Sequence, residues 1–484
     1  MRGCRAPAMD LSLSNKENGR RWVMTAVSIG TFASCLDSGM VSVSLPTLTV
    51  ALSADLVTVG WVVMAYLLTA TGLLLFAGRL SDLFGRRQVY LWGFGVFALG
   101  SALASLSPGI FWLIGARVVQ ACGAAALTAN ASALITDAYP EGQRGRVLGL
   151  LSAVVSAGLL AGPLVGGFFV ELLGWRSVFY VNLFVGLVGI FICSRILRPE
   201  KRGEVASGLD LWGAVLLMVF TSSFILVFNQ GWEKGWDSLY VQGLTFMAVS
   251  SFCAFVWKER KMVEPLIDLS LFKHTTLSLV LTSSFFYYSM IIANSFLMPF
   301  YLQQVLNYQP FQVGLITFPL FLTVMLVAPV SGRLSDRIGS RIPMMAGIII
   351  ASVAFILYAR LDGNCTLLDI LWRQVLLGAG TGLFSSPNHN AVMGMAPRDK
   401  AGVVSSLLAL FRNLGFSFGV AVASSTVAAR LLLYQSAMGP GFKELPFLLS
   451  LRDAWWVATA FGILATLILA MGTKGWDWPA RPAL

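Results

Sequence analysis

The feature that most constrains this chain is the recurrence of apolar runs about 20 residues long, each able to cross the roughly 30 Å hydrocarbon core of a bilayer as a helix. They fall at 22–50, 57–77, 88–106, 110–136, 146–170, 176–196, 211–229, 239–257, 275–302, 310–331, 343–360, 370–395, 402–432 and 453–472. Lipid cannot satisfy backbone N–H and C=O groups, so only helices and closed barrels span a membrane. Barrel strands alternate apolar and polar residues over about ten positions, whereas these runs are continuous. Helices are therefore expected. Of the 484 residues, 57% are hydrophobic and only 12% charged, where a soluble domain carries about 25% charged residues. An ordinary water-soluble enzyme is excluded.

The formal charge of +11 reflects 34 Lys and Arg against 23 Asp and Glu. Its distribution decides its meaning, because loops on the cytoplasmic side retain positive charge. Twenty-five of the 34 basic residues lie on alternate connections, counting the two tails. The other nine are Arg117, Arg176, Lys234, Arg360, Arg373, Arg412, Arg430, Lys443 and Arg452. Both termini are thus expected in the cytoplasm, and no compact basic domain exists to bind nucleic acid. The six cysteines are scattered, without metal-ligand or disulfide-framework spacing. The apolar run after Arg20 and Arg21 is too long for a signal-peptide core and reads as an uncleaved first span.

The chain repeats itself. GRLSDLFGRR at 78–87 and GRLSDRIGSR at 332–341 share seven of ten residues at an offset of 254. Arg117 matches Arg373 at 256, and Pro140 with Gly145 matches Pro397 with Gly402 at 257. A nearly constant offset makes the chain six spans, two inserted spans and six spans of the same parentage. The expected divisions are an N-terminal tail (1–21), a six-helix bundle (22–196), connectors holding two inserted transmembrane helices (197–274), a second six-helix bundle (275–472) and a C-terminal tail (473–484). Parallel repeats of this kind enclose a site near the midplane that rocking exposes to each side in turn.

Several segments together carry a family resemblance. They are GRLSDLFGRR, RVVQACGAAA (117–126), GLLAGPLVGG (158–167), LDSGMVSVSLP (36–46), GWRSVFYVN (174–182) and FRNLGFSFGVA (411–421). With these the chain resembles a major facilitator superfamily transporter, and specifically its fourteen-spanner drug:proton antiporter family, over about 22–472. The resemblance implies an all-α integral membrane protein of the major facilitator fold, with two six-helix bundles related by a parallel repeat plus two inserted helices. It also implies that GRLSDLFGRR stabilises the outward-facing state and that GLLAGPLVGG marks exporters exchanging substrate for protons. Ala121, Ala129 and Phe184 depart from the family's usual Gly, Pro and Pro.

Asp37 is the first candidate for proton coupling, because an acid within a span costs roughly 2.5–3.5 kcal/mol on insertion scales and needs a partner or a task. If the first span leaves the membrane near Pro46, Asp37 lies about nine residues, or roughly 13 Å, from the outer face. Arg117 enters the fourth span to a depth of roughly 10 Å. The depths agree, so the two are expected to form a relay, the alternative being a purely structural hydrogen-bonded Asp. In the first glycine-rich motif Gly78, Asp82, Gly85, Arg86 and Arg87 are expected to form a cytoplasmic latch, with Gly332, Arg333, Asp336, Gly339 and Arg341 as its second copy. The alternative is that the arginines only set topology.

Gly158, Gly162, Pro163, Gly166 and Gly167 line a face of the fifth span that permits close helix packing; packing alone is the competing reading of this antiporter helix. A second polar cluster joins Asn388, His389 and Asn390 of the twelfth span to Arg412 and Asn413 of the thirteenth. Asn388 and Arg412 lie at depths of roughly 13–15 Å, which allows them to meet. Asn130, Asn388, His389, Arg412 and Asn413 are the candidates for a substrate pocket, and Tyr66, Phe285, Phe286, Tyr287 and Tyr288 are candidate aromatic lining. His389 is either a hydrogen-bonding group or a proton carrier.

The leading expectation is a proton-driven exporter of amphipathic or cationic compounds in the cytoplasmic (inner) membrane of the cell. It would need no cofactor or metal, and its partners would be the lipid bilayer, a small-molecule substrate and protons. Export of one sugar, siderophore or amino-acid derivative on the same fold is the nearest rival. A non-transporting receptor is a third reading, against which stands the lack of a soluble signalling domain. No Walker A loop, H-E-x-x-H or G-x-S-x-G elbow is present.

Overall fold

The computed structural model describes residues 11–139, 141–196, 211–262, 267–395, 401–438 and 444–472. Among them are fourteen α-helices: α1 (Leu11–Ala51), α2 (Leu56–Phe84), α3 (Arg86–Ser105), α4 (Ile110–Ala138), α5 (Glu141–Leu173), α6 (Ser177–Ile196), α7 (Leu211–Lys234), α8 (Leu239–Glu259), α9 (Thr275–Phe300), α10 (Pro310–Ile338), α11 (Arg341–Tyr358), α12 (Leu367–Gly394), α13 (Ala401–Met438) and α14 (Glu444–Met471). All fourteen are long and apolar enough to cross a membrane. Residues 1–10 of the N-terminal tail, the whole connector segment 197–210 and the C-terminal tail 473–484 lie outside the described residues.

Two of the sequence expectations change. GRLSDLFGRR is not a loop: α2 continues to Phe84, and the chain turns at Gly85 alone, with φ of 90°. The second copy does the same, α10 running to Ile338 and turning at Gly339 with φ of 84°. Positive φ at matching positions is the structural mark of the repeat, since that backbone conformation favours glycine. Second, α1 runs through Pro46 to Ala51, in line with the apolar run 22–50, so Asp37 lies roughly 21 Å from the helix's outer end, beyond the roughly 13 Å to Pro46. A proline removes one backbone donor, and around it the Ser44 and Thr49 hydroxyls donate to the carbonyls of Val41 and Pro46.

Within each bundle glycines set the helix spacing. On α3 and α4, Cβ atoms added at Gly100 and Gly123 would come within 2.3 Å of the backbone nitrogens of Gln120 and Phe97. On α1 and α5, one at Gly39 would meet the Gly162 Cα at 2.8 Å, and one at Gly166 would meet the Met40 Cα at 2.5 Å. Gly347 and Gly380 bring α11 and α12 together in the same way. Such contacts replace the hydrophobic drive that lipid does not supply.

The bundles meet along α5 with α10 and α2 with α13. Added Cβ atoms at Gly314 and Gly167 would lie 2.4 Å from the carbonyl oxygens of Pro163 and Pro310, respectively. Hydrogen bonds tie the face opposite the termini, the outer face by the charge rule. Gln303, in the π-helical turn Tyr301–Val305, donates to the Val43 carbonyl at 2.9 Å. The Phe311 N–H donates to Glu171 at 3.1 Å. Helix α7 bridges the halves as well: Trp61 of α2 donates to the Asn229 side chain at 3.1 Å, and Ser425 of α13 donates to the Asn229 carbonyl at 2.9 Å. Helix α7 therefore links the bundles, while α8 packs on α7. In the connection between them Trp236 turns back over Phe228 and Gly231, and the Trp232 side chain lies outside the described residues.

Gly123→Val is expected to lower stability by about 1–3 kcal/mol through overpacking of α3 against α4. Gly95→Ala, where an added Cβ meets nothing within 4 Å, leaves stability equal or slightly raised. Thermal unfolding in detergent, followed by size-exclusion fluorescence, checks both.

Candidate functional site

Asp37 is fully buried in the first bundle, and its carboxylate is held from three sides. Arg117 Nη1 donates to both oxygens, at 2.9 and 2.8 Å. Asn182 Nδ2 of α6 donates at 2.5 Å and Gln120 Nε2 at 3.2 Å. Arg117 is in turn fixed by Nε to the Val62 carbonyl (3.1 Å), by Nη1 to Gln120 Oε1 (2.6 Å), and by its guanidinium resting 4.1 Å from the Tyr66 ring centre. Gln120 reaches on to Ser101 of α3 at 3.0 Å. Five helices, α1, α2, α3, α4 and α6, thus converge on one ion pair. The pairing read from the sequence is present. Gln120 and Asn182 were not among its expected members, and Tyr66 serves the arginine instead of lining an aromatic pocket.

The latch residues sit at the terminus-bearing face. Arg86 Nη1 donates to the Ala133 carbonyl at 3.2 Å and Arg87 Nη2 to the Ser194 carbonyl at 3.1 Å. Both carbonyls lie near helix C-termini of the same bundle, where the helix dipole favours cations. The Asp82 side chain lies outside the described residues. In the second copy Arg333 and Asp336 are exposed, Ser335 and Ser340 hydrogen-bond each other at 2.7 Å, and Gly332 faces Ser386.

The antiporter-helix residues divide between two partners. Gly158, Gly162 and Gly166 face α1 at Cys35, Gly39 and Met40, while Gly167 and the Pro163 carbonyl face α10 of the other bundle. The second polar cluster is looser than the sequence suggested. Asn388 is fully buried and accepts a hydrogen bond from Ser284 of α9 at 2.9 Å; Arg412 does not bond it. Arg412 is half-buried, and its Nε donates to Asn413 Oδ1 at 3.4 Å. His389 is exposed. Asn130 is fully buried and donates to the Ala126 carbonyl of its own helix. Tyr287 stacks on Phe384 at 3.7 Å, Tyr288 contacts Phe384 and Phe416, and Phe285 packs on Phe286 and Phe418.

A sequence profile of the Major Facilitator Superfamily matches residues 27–420. The chain is 31% identical to the riboflavin transporter RibZ of Clostridioides difficile, over 94% of this chain and 98% of that protein. It is 32% identical to the multidrug resistance protein Stp of Mycobacterium tuberculosis (84% and 76%) and 31% identical to the tetracenomycin C resistance and export protein of Streptomyces glaucescens (85% and 77%). Its fold matches that of a bacterial homologue of the human lysosomal transporter Spinster, in the inward-facing and unoccupied conformation. The TM-score is 0.68 at 16% identity, covering 94% of this chain and 97% of that one. With fourteen membrane-length helices in two packed bundles and relatives that carry small molecules and confer drug resistance, the chain is a membrane transporter belonging to the Major Facilitator Superfamily.

Proposed function

We propose that this transporter is a proton-coupled exporter of amphipathic organic compounds, resident in the cell membrane and working by alternating access. The observation that carries this reading is the fully buried Asp37–Arg117 pair. Two charges sealed in a low-dielectric interior cost several kcal/mol each unless their geometry and hydrogen bonds are complete. A carboxylate held this way responds to a single proton: protonation cancels its charge and leaves Arg117 with the Val62 carbonyl, Gln120 and the Tyr66 face. Asp37 shares α1 with Val43 and Thr49, whose polar atoms meet Gln303 and Gln304 of the second bundle. A change at the pair is therefore transmitted along one helix to the contacts that close the outer face.

The likeness to drug-resistance proteins supports a broad substrate range. A second reading, transport of one planar metabolite, draws on the similarity to the riboflavin transporter, which spans nearly the full length of both chains.

Reconstitution in vesicles with an imposed proton gradient tests the proposal, using amphipathic dyes and riboflavin as cargo. Wild-type protein is expected to accumulate several dyes against their gradient, and Asp37→Asn to retain binding but lose accumulation. Full gradient-driven transport by Asp37→Asn would overturn the assignment, and movement of riboflavin alone would favour the second reading. Arg117→Leu strands the buried carboxylate and is expected to cost about 3–5 kcal/mol of stability, seen as a lower unfolding temperature that Asp37→Asn in the same chain restores. Asn182→Leu and Gln120→Leu each remove a hydrogen-bond donor to the Asp37 carboxylate. Each is expected to lower gradient-driven accumulation several-fold, and unchanged accumulation would assign these amides to packing alone.

A further inference from the structure

Four of the described arginines in or beside the spans have a strong partner. Arg117 holds Asp37, Arg373 lies 3.6 Å from Asp369, Arg430 lies 3.2 Å from Asp453, and Arg452 donates to the Ala359 carbonyl at 2.7 Å. Arg412 differs. It stands eleven residues into α13, roughly 16 Å along the axis and so near mid-membrane. Among the described residues its one hydrogen bond is the 3.4 Å contact with its neighbour Asn413, which leaves both terminal nitrogens of the guanidinium unengaged.

Among the described residues no Asp or Glu forms an ion pair with it. Arg412 shares a face of α13 with Gly415, one turn on, where an added Cβ would meet the Tyr288 Cβ of α9 at 3.1 Å, so it stands against α9. Asn388 Nδ2 is buried without a hydrogen-bond partner, because Ser284 uses only the Oδ1 side. Ser284 and Tyr288 are one turn apart on α9, which brings the Asn388 amide to the same stretch of wall. Phe416 is one turn from Arg412, and its ring meets Tyr288 at 5.4 Å, with Phe384 on the other side of Tyr288 at 5.9 Å. Four of the described acids elsewhere are committed: Asp37 is sealed, Glu171 accepts from Phe311, Glu259 accepts from Ile267, and Asp453 pairs with Arg430.

We infer that Arg412 and Asn388 form the head-group site for an aromatic organic acid, with the guanidinium and the unpartnered amide receiving the anionic group and Tyr288, Phe384 and Phe416 facing its planar body. This rests on the reading of the chain as an exporter of small organic compounds, and it reverses the expectation of cationic cargo. An unpaired guanidinium repels a cation, while it offers two parallel N–H donors to a carboxylate or similar acid. A buried amide donor that has no partner within the protein gains one from a bound anion, and that difference selects for an acceptor-bearing ligand.

The test uses the full-length purified protein and two fluorescent probes of similar size and planarity, anionic fluorescein and cationic rhodamine 6G. Fluorescence anisotropy in a neutral detergent should show fluorescein bound roughly ten- to hundredfold more tightly by the wild type, the ratio expected of one charge-assisted contact. Arg412→Gln removes that preference, Arg412→Lys keeps part of it, and Asn388→Leu weakens fluorescein binding without strengthening rhodamine binding. Arg412→Lys covers the case in which the Gln variant fails to fold. Equal affinity for the two probes, no fluorescein binding, or an unchanged preference in both folded Arg412 variants would overturn the inference. The binding measurement is independent of the proton gradient: an intact preference with no gradient-driven transport would sink the coupling proposal and leave this one standing.

Discussion

The buried ion pair between Asp37 and Arg117 is the constraint around which the first bundle is organised. Bringing an aspartate and an arginine out of water is costly, and replacing such a pair by apolar residues is often neutral or stabilising. Its cost here is offset by completeness: three donors on the carboxylate, a carbonyl and an amide oxygen on the guanidinium, and an aromatic face beneath it. Each of those groups comes from a different place on α1, α2, α4 or α6, so the helices are placed with respect to one another by the charge they share. The glycines follow from this. Gln120 reaches both Asp37 and Ser101 because Gly100 lets α3 lie directly on the Gln120 backbone.

The second bundle inherited the scaffold but not the pair. At the repeat offset of 254 Asp37 corresponds to Ile291, and Arg373, the counterpart of Arg117, is occupied by Asp369 one turn back on its own helix. Its neighbour Gln374 is buried and accepts a hydrogen bond from Tyr358. With no internal acid to answer to, the polar groups of α12 and α13 are left as donors. Duplication followed by divergence has separated the chemistry, with a self-satisfied charge pair in one half and unsatisfied donors in the other.

Much of this was legible in the sequence, and the reasons are physical. Apolar length dictates spans because lipid leaves the backbone no alternative, and a charge in such a run is rare enough to announce itself; hence Asp37 and Arg117. Neutral amides carry no comparable penalty, so Gln120 and Asn182 looked like ordinary polar residues. Asn182 lay within a segment quoted for its family resemblance, which was the available signal. Helix ends were harder. Gly78 and Gly332 suggested loops, yet only Gly85 and Gly339 adopt positive φ, and Pro46 suggested an end where α1 continues. Equal depth suggested that Asn388 and Arg412 would meet, but depth does not fix the direction in which a side chain leaves its helix. Asn388 turns to Ser284 on α9.

Direction around the helix is also what makes α1 the natural coupling element. Asp37 and Cys35 are two residues apart, which on an α-helix is roughly 200° of rotation. Asp37 faces the core of its own bundle, whereas Cys35 packs against Gly158 of α5. One rod therefore carries the ion pair on one side and the α5 contact on the other, and its outer end carries the contacts with Gln303 and Gln304. Helix α1 also packs on α9, the helix beside Arg412, so under the proposed coupling a proton at Asp37 and a ligand at Arg412 would both act on the position of α1. Two ligands that displace a shared element in opposite senses compete through it without touching, and the coupling energy is their difference in affinity for its two positions. The proposed antiport requires that kind of exclusion, which a shared helix supplies without direct contact between proton and cargo.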